Sequence, residues 1–449
     1  MRELSRRRLL GLGWGAAAAS VGASVVAGCA TPGSTNVNRA APVPRSDEPV
    51  TLTYWSWLKD LQKVADIWNA QNPRVQVEAV WIQGGNDGGY AKMYAALAAG
   101  GGPDIGQVEL RQVPEFLLAN GLVDLSRYGA AEFAERYAPS LWNQVVFEEG
   151  VYGIPQDSGP MAFYYQTALL EAVSAGPPAT WDDWRELAGL VRETGPANYL
   201  EVFPASDAAP FTAYAAQAGA RWFRIEGDEW VVDMTDEATM RVAAFFDSVI
   251  DDDLVETGYE AFSPGFYAAA GEGRIAALTS ASWGDALLQS ISDGAGKWRV
   301  APMQTWPEGD YGSSALGGST AAVLAHSPHP QEALDFIVWM TSSREGIDAM
   351  IEHCGIGWSP SAEYIGAARR RPSEWFSGQS YNEEVFVPAS RQQPEWTWAP
   401  LTQATLTAVE DQLRRKLTDG QPLVDGLVQA EAATLTAFRN KGLTARSAS

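Results

Sequence analysis

Residues 50–81, VTLTYWSWLKDLQKVADIWNAQNPRVQVEAVW, contain the pattern that decides the fold. Apolar and polar residues alternate over 51–55, which is the period of a half-buried strand. The next apolar residues have helical spacing and are Leu61, Val64, Ala65 and Trp68. Alternation resumes over 75–81, after Asn72 and Pro73. A strand, a helix and a second strand in this order predict a β-α-β unit and therefore a parallel sheet.

Strand and helix patterns continue to alternate along the 449 residues of the chain. Thr180 with Asp183 predicts a capping box at the start of a helix, and residues 321–325 form a short apolar run. Helical spacing returns after Pro330. A single hydrophobic core seldom organises so long a chain, so the sequence predicts an α/β protein of two lobes or domains.

The charge balance excludes one class of partner. The formal net charge is −23, and the first 28 residues hold four arginines against one glutamate, so the rest of the chain is more acidic still. Such a surface repels phosphate backbones and anionic lipid headgroups. We therefore expect no nucleic-acid partner and no membrane adhesion through a basic patch.

The chain contains 18 tryptophans, which allow two interpretations. Indole rings cover the apolar faces of sugar rings while their N–H groups remain free to meet hydroxyls. Indoles also fill hydrophobic cores, and composition cannot separate the two uses. The position of each tryptophan relative to the predicted strands must decide between them.

The first fifty residues resemble an export address. Arg6, Arg7 and Arg8 precede an uncharged, Gly/Ala-rich segment over 11–28, which resembles a twin-arginine signal peptide. This segment ends in Val-Ala-Gly before Cys29, which resembles the lipobox of bacterial lipoproteins. We therefore predict a signal peptide over 1–28, a lipid on Cys29 and a flexible, proline-containing tether over 29–49. The protein would lie lipid-anchored at the extracytoplasmic face of the cell membrane.

Several segments, in this order, resemble the family 1 extracellular solute-binding proteins, the maltose-binding-protein-like sugar-binding lipoproteins of ABC transporters. The segments are 51–57, 103–105, 121–125, 152–157, 271–283, 316–318 and 330–342. Each segment alone is a weak signal, and their fixed order is a strong one. The match covers roughly 50–440, and residues 366–395 have no clear counterpart.

The resemblance implies a periplasmic-binding-protein-like fold in which two α/β lobes, joined by a hinge, close on a ligand in the interlobe cleft. By analogy, lobe 1 comprises 50–124 plus 313–365, and lobe 2 comprises 125–312 plus 366–449. The implied function is that of a non-enzymatic receptor, which captures a neutral di- or oligosaccharide and delivers it to the permease subunits of an ABC importer. It further implies a monomer without a cofactor.

A sugar site needs carboxylates and amides for the hydroxyls and aromatic planes for the ring faces. Such groups converge at the carboxyl ends of parallel strands. The predicted ligand-contacting residues are Trp57, Gln83, Glu109, Asp157, Trp283, Gly318, Ser319, Trp358, Trp396 and Trp398.

Their positions in the sequence support these expectations. Gln83 and Glu109 follow predicted strands, and Trp55 and Trp57 end the first predicted strand. Trp283 follows a small-residue apolar run, and a glycine at 318 allows close backbone approach. Asp157 resembles the family's polar residue that reaches sugar hydroxyls. For each of them a core or solvated-loop role stays open.

Other site chemistries have weaker support. His326 and His329 are separated by Ser-Pro, and with 3 histidines in the chain no third ligand has zinc-like spacing, so we predict no metal site. A secreted glycoside hydrolase remains an alternative, because two carboxylates suffice for that reaction. A lipoprotein that holds polysaccharide without transporting it is a third possibility.

Overall fold

The computed structural model describes residues 37–85, 88–306 and 311–448. The predicted signal peptide, Cys29 and the start of the predicted tether lie outside the described residues. Within the described ranges, no helix combines the length and the apolar character needed to cross a lipid bilayer.

The strands are short and distributed along the whole chain. They are β1 (Val50–Ser56), β2 (Val75–Trp81), β3 (Ile105–Glu109), β4 (Val146–Phe147), β5 (Gly150–Val151), β6 (Ile154–Pro155), β7 (Met161–Gln166), β8 (Phe223–Glu226), β9 (Glu229–Val232), β10 (Ala277–Ala281), β11 (Trp298–Pro302), β12 (Ser319–Val323) and β13 (Ala445–Ser447).

Helices separate most of these strands. The α-helices are α1 (Leu61–Gln71), α2 (Gly89–Ala98), α3 (Val113–Leu118), α4 (Pro139–Trp142), α5 (Thr167–Ala172), α6 (Trp181–Glu193), α7 (Ala208–Gln217), α8 (Glu237–Asp251), α9 (Pro264–Gly271), α10 (Gly284–Leu288), α11 (Pro330–Ser342), α12 (Arg344–Cys354), α13 (Val387–Ser390), α14 (Thr402–Asp419) and α15 (Leu423–Asn440). Short 3-10 helices span Val37–Arg39, Leu110–Gln112, Leu125–Tyr128, Ala130–Arg136 and Ala368–Arg370, and a π-helix spans Asn382–Phe386.

The first lobe is built on a mixed sheet, which among the described residues has five strands in the order β2-β1-β3-β12-β6. β1 pairs in parallel with β2 and β3, so the β-α-β unit predicted over 50–81 is confirmed. β12 runs antiparallel to β3 and β6. Leu52 of β1 lies in one apolar cluster with Leu61, Phe336 and Ile347, which come from α1, α11 and α12.

The second lobe carries the antiparallel sheet β10-β7-β11, and β13-β9-β8 form a separate small sheet. Helices α6, α7, α8, α14 and α15 contribute to its largest apolar cluster, which includes Trp181, Trp184 and Trp222. At the start of α6, the predicted capping box is confirmed, because Thr180 and Asp183 exchange side-chain and backbone hydrogen bonds.

Residues 125–155 pack with the first lobe, which differs from the predicted lobe boundary at 124/125. β6 lies at the edge of the first sheet, and Leu125, Tyr137 and Val151 join the apolar cluster of β1. The chain enters the sheet of the second lobe only at Met161. The short elements of 125–155 carry no sustained apolar period, so the sequence did not reveal which core they join.

Within the described residues, three segments lie side by side between the lobes: 156–160, 314–319 and 356–359. Gln156 N donates to Ser319 O at 2.8 Å, and Leu316 N donates to Gly159 O at 2.9 Å. Ser158 N donates to Trp358 O at 3.1 Å. These hydrogen-bonded segments form the hinge of a two-lobed protein.

Residues 37–49, the second part of the predicted flexible tether, are docked on the first lobe. Asn38 Nδ2 donates to Leu122 O at 3.0 Å, and Ser46 N donates to Glu332 Oε1 at 2.6 Å. We call residues 37–49 the N-terminal strap. Val37 also packs against the apolar cluster of β1, so the strap contacts the first lobe through both polar and apolar groups. The flexible tether over 29–49 stays a prediction.

Candidate functional site

Two adjoining cavities lie in the cleft between the lobes. The smaller has a volume of about 140 Å³ and is lined by the indoles of Trp283, Trp396 and Trp398, and we call it the tryptophan chamber. The larger has a volume of about 590 Å³. We call it the serine chamber after its hydroxyl-bearing residues, which are Ser140, Ser158, Ser359, Ser361 and Ser390. The chambers adjoin because Ser140, Leu141 and Gln393 line both of them.

The tryptophan chamber brings together part of the predicted set. The predicted residues that line it are Glu109, Trp283, Gly318, Trp396 and Trp398. Glu109 ends β3, while Trp283 follows β10 and Gly318 precedes β12, so strand ends place all three at the cleft. Gly318 has a φ of 107°, a conformation that disfavours residues with a Cβ and lets the backbone form the cavity wall.

The structure places the other predicted residues outside this chamber. Trp57 packs edge-on against Tyr90, with ring centroids 6.0 Å apart, at the apolar cluster beneath the strand ends. The side chain of Gln83 is exposed and lines neither chamber. Trp358 is buried and lines the serine chamber.

Asp157 and Ser319 form a contact within the hinge. The Asp157 carboxylate accepts hydrogen bonds from Ser319 N at 2.5 Å and from Ser319 Oγ at 3.0 Å. Gln107 Nε2 also donates to Ser319 Oγ, at 3.0 Å. Burial raises the pKa of Asp157 to about 6. The hydrogen bonds from Ser319 act to lower this pKa, and the negative charge of Glu109 acts to raise it. The structure thus gives Asp157 a place in the hinge instead of on the chamber wall.

A fixed charge pair lies on the first-lobe side of the tryptophan chamber. Arg111 Nη2 lies 3.0 and 3.1 Å from the two carboxylate oxygens of Glu109, and Tyr90 OH donates to Glu109 Oε2 at 2.8 Å. Burial is the largest single influence on the Arg111 guanidinium and acts to lower its pKa, whereas the Glu109 carboxylate acts to raise it. Tyr90 and Asp207 act in the same direction, so the pKa of Arg111 is raised and the cation persists.

The indoles on the second-lobe side are held by neighbours. Trp283 Nε1 donates to Leu316 O at 2.9 Å. Trp396 packs edge-to-face against Trp222 and Trp398, each with ring centroids 5.7 Å away. Among the described residues, the buried Trp396 Nε1 has no hydrogen-bond partner. This indole can therefore offer a donor to a bound ligand.

One hydrogen bond crosses the chamber from lobe to lobe. Trp398 Nε1 donates to Gln144 Oε1 at 3.1 Å. Gln144 and Trp398 come from opposite lobes, so their separation depends on how far the cleft is closed. A ligand between them would meet groups from both lobes at once.

Sequence reasoning missed several chamber residues. They are Arg111, Gln144, Asp207 and Gln393. Asp207 had a local signal, because its side chain caps α7 by accepting a hydrogen bond from Ala209 N at 2.9 Å. Gln144 and Gln393 lie outside the helices and strands, where the sequence carries no pattern that marks a site.

The chamber combines apolar planes with groups that donate and accept hydrogen bonds. Sugar hydroxyls both donate and accept hydrogen bonds, so they can bind to carboxylates, a guanidinium and amides. The indoles match the apolar faces of sugar rings. Within the described part of the chain, no group of three or more His, Cys, Asp or Glu side chains could hold a metal ion. The lining of the chamber fits a polyhydroxylated ligand.

Comparison with known proteins identifies relatives across most of the chain. The family model for bacterial extracellular solute-binding proteins matches residues 55–347. The arabinooligosaccharide-binding protein of Halalkalibacterium halodurans is 23% identical over 62% of this chain, and the match spans 63% of that relative, just under two thirds. An uncharacterized lipoprotein of Streptomyces antibioticus is 26% identical over 77% of this chain and 82% of its own length.

A solved structure is similar over both lobes. It is an ABC transporter associated binding protein from B. animalis subsp. lactis Bl-04, determined in complex with β-1,6-galactobiose. Its TM-score is 0.77 at 26% sequence identity, and the match covers 89% of this chain and 100% of that one. The fold of two lobes around a ligand cleft is thus shared with a protein that was crystallised with a sugar.

Proposed function

Because this chain belongs to the bacterial extracellular solute-binding proteins, we propose that it is a monomeric receptor that captures a neutral di- or oligosaccharide. It then delivers the sugar to the permease subunits of an ABC importer. The observation that carries the proposal is the tryptophan chamber, where the indoles of one lobe face the Glu109–Arg111 pair of the other. The arabinooligosaccharide- and galactobiose-binding relatives support a sugar as the ligand.

The chamber supports a capture mechanism based on lobe closure. A sugar that stacks on Trp283 and bonds to Glu109 touches both lobes, so it binds the closed form more tightly than the open one. The ligand then shifts the hinge equilibrium by the difference between those two affinities. No step of this mechanism breaks a covalent bond.

Calorimetric titration with arabino-, galacto-, malto-, gluco- and xylo-oligosaccharides is the direct test. We expect saturable binding to at least one series, and the sugar should be recovered intact after long incubation. Binding to an amino acid, a peptide or phosphate, with no binding to any neutral sugar, would contradict the proposal. If cleavage products form and Glu109→Gln or Asp207→Asn abolishes them, the protein is a glycoside hydrolase instead.

We further propose that a lipid on Cys29 holds the receptor at the outer face of the membrane. The support is the lipobox-like ending of the predicted signal peptide and the Streptomyces relative, which is described as a lipoprotein. In cell fractionation, the wild-type protein should sediment with membranes and Cys29→Ser should not. Equal sedimentation of both proteins would exclude a lipid anchor at this position.

A further inference from the structure

The serine chamber has a wall that the family resemblance did not cover. Residues of segment 366–395 form this wall, and the opposite wall comes from 138–141 of the first lobe. The wall residues from the segment are Arg370, Glu383, Val387, Ser390, Arg391 and Gln393. Segment 366–395 therefore forms one boundary of the cleft, next to the tryptophan chamber.

A buried polar cluster fixes this wall to the second lobe. Arg369, which is 8% exposed, pairs through its guanidinium with the Asp285 carboxylate. Tyr381 OH donates to the same carboxylate at 2.6 Å, and Arg369 Nη2 donates to Ile356 O at 2.5 Å. Asp285 lies in α10, two residues after Trp283. The Arg369–Asp285 ion pair thus joins the wall to the helix next to Trp283. Because breaking a buried ion pair is costly, the wall and this indole keep a fixed relative position.

The chamber sizes indicate that a ligand uses both. Small-molecule sites typically have volumes of about 300–1,000 Å³. The tryptophan chamber, at about 140 Å³, is below this range, and the serine chamber, at about 590 Å³, is within it. The shared lining by Ser140 and Gln393 makes the two cavities parts of one cleft.

The lining of the serine chamber matches a neutral, hydroxyl-rich ligand. The serine hydroxyls both donate and accept hydrogen bonds. The guanidiniums of Arg370 and Arg391 have no side-chain hydrogen bond or ion pair within the described residues, and the carboxylates of Glu363 and Glu383 balance their charge. An anionic ligand would meet both arginines but also both carboxylates, which favours an uncharged one.

We propose that the serine chamber is a second sugar compartment and that the ligand is a neutral oligosaccharide of three or more units. One end stacks in the tryptophan chamber, and the chain continues past Ser140 and Gln393 into the serine chamber. This inference rests on the proposed sugar-binding function and specifies its ligand by length. The free guanidiniums of Arg370 and Arg391 bind the hydroxyls of the additional units.

The test is calorimetric titration of the purified protein with arabino-, galacto-, malto-, gluco-, xylo- and uronic-acid oligosaccharides of two to five units. For the series that binds, affinity should rise at least tenfold from the disaccharide to the longer chains. The double variant Arg370→Ala/Arg391→Ala should lose this rise and keep the disaccharide affinity. Arg371→Ala is the matched control, because this exposed neighbour lines neither chamber and should behave like the wild type.

The outcomes separate this inference from the function on which it rests. Equal affinity for the disaccharide and the longer chains overturns the second compartment and leaves the sugar receptor intact. A rise that survives in the double variant, with thermal denaturation showing the variant folded, also overturns it. Tighter binding of uronic-acid oligosaccharides overturns the neutral ligand class. Absence of binding to every sugar overturns the proposed function itself.

Discussion

Some tryptophans of this chain fill the hydrophobic core and others line the tryptophan chamber, and the surroundings of each residue determine its role. Trp181, Trp184 and Trp298 are at most 1% exposed and belong to the cores of the second lobe. Trp283 and Trp398 are only partly buried and line the tryptophan chamber. The same side chain thus stabilises the fold at one position and offers a stacking plane at another.

Replacing Trp283 with alanine should weaken sugar binding more than folding. Loss of one stacking plane costs about 1–3 kcal/mol, or about five- to a hundred-and-fiftyfold in Kd. Calorimetry and thermal denaturation measure the two effects separately. Trp81→Ala is the control, because this indole is 58% exposed and lies outside both chambers. A collapsed melting temperature with normal binding by the remaining folded protein would assign Trp283 to the core.

Asp157 should make the stability of the protein depend on pH. Its folded-state pKa of about 6 is above the ordinary 3.8, so the folded protein holds this proton more tightly than the unfolded chain. The resulting stabilisation is fully present below about pH 4 and is lost as the pH rises through about 6. As the pH rises from about 4 to about 6, the free energy of unfolding of the wild type should therefore decrease more than that of Asp157→Asn.

Urea unfolding at about pH 4.5 and about pH 7 measures this difference. Asp182→Asn is the control, since it removes an exposed carboxylate outside the hinge and should follow the wild type. The same pH dependence in the wild type and in Asp157→Asn would show that the carboxyl is not buried in the hinge.

Among the elements, the regular ones follow local sequence and the irregular ones follow their neighbours. β1, α1 and β2 form where the apolar periods predict them, and α6 begins at its capping box. The N-terminal strap has no such period and is held by hydrogen bonds to the first lobe. Its order therefore depends on a surface that forms only when the first lobe has folded.

Replacing Asn38 with alanine should release part of the strap. The Asn38 amide bonds to Leu122 O and accepts from Asp124 N at 2.8 Å, and losing these bonds should cost about 1–2 kcal/mol of unfolding free energy. Chemical denaturation gives this value, and sugar affinity should not change. Arg39→Ala, an exposed neighbour, should leave stability unchanged. Unaltered stability in Asn38→Ala would mean that the strap is not docked in solution.

In the whole molecule, the two lobes touch across the cleft as well as at the hinge. Gln112 Nε2 donates to Gln403 Oε1 at 3.3 Å, and Leu118 of α3 packs against the core of the second lobe. With the Trp398–Gln144 hydrogen bond, these contacts join the lobes away from the hinge. They add to the hinge contacts that hold the two lobes together in this conformation.

The sugar-free protein should be more open than the sugar-bound one. Small-angle scattering should show a smaller radius of gyration at saturating oligosaccharide, because a ligand that touches both lobes favours closure. Trp398→Phe removes the bond to Gln144 and should raise Kd about two- to tenfold, and Trp81→Phe should not. An unchanged radius with bound, intact sugar would indicate a rigid, lectin-like binder.

The sequence by itself determined the features that depend on local order. The β-α-β unit over 50–81 and the capping box of α6 follow from residues close together in the chain, and the family resemblance follows from the fixed order of short segments along it. Glu109 and Trp283 were also found in this way, because a residue next to a strand end is marked by the strand beside it.

Only the tertiary structure decided which distant residues meet. In the folded protein, residues 125–155 pack with the first lobe and Asp157 lies in the hinge. Segment 366–395 forms a wall of the serine chamber. Asp207 and Arg111, which are far apart in the sequence, both line the tryptophan chamber. The physical reason is that a cleft between two lobes is lined by irregular segments far apart in sequence. Their proximity follows from the packing of the lobes, which no local pattern encodes.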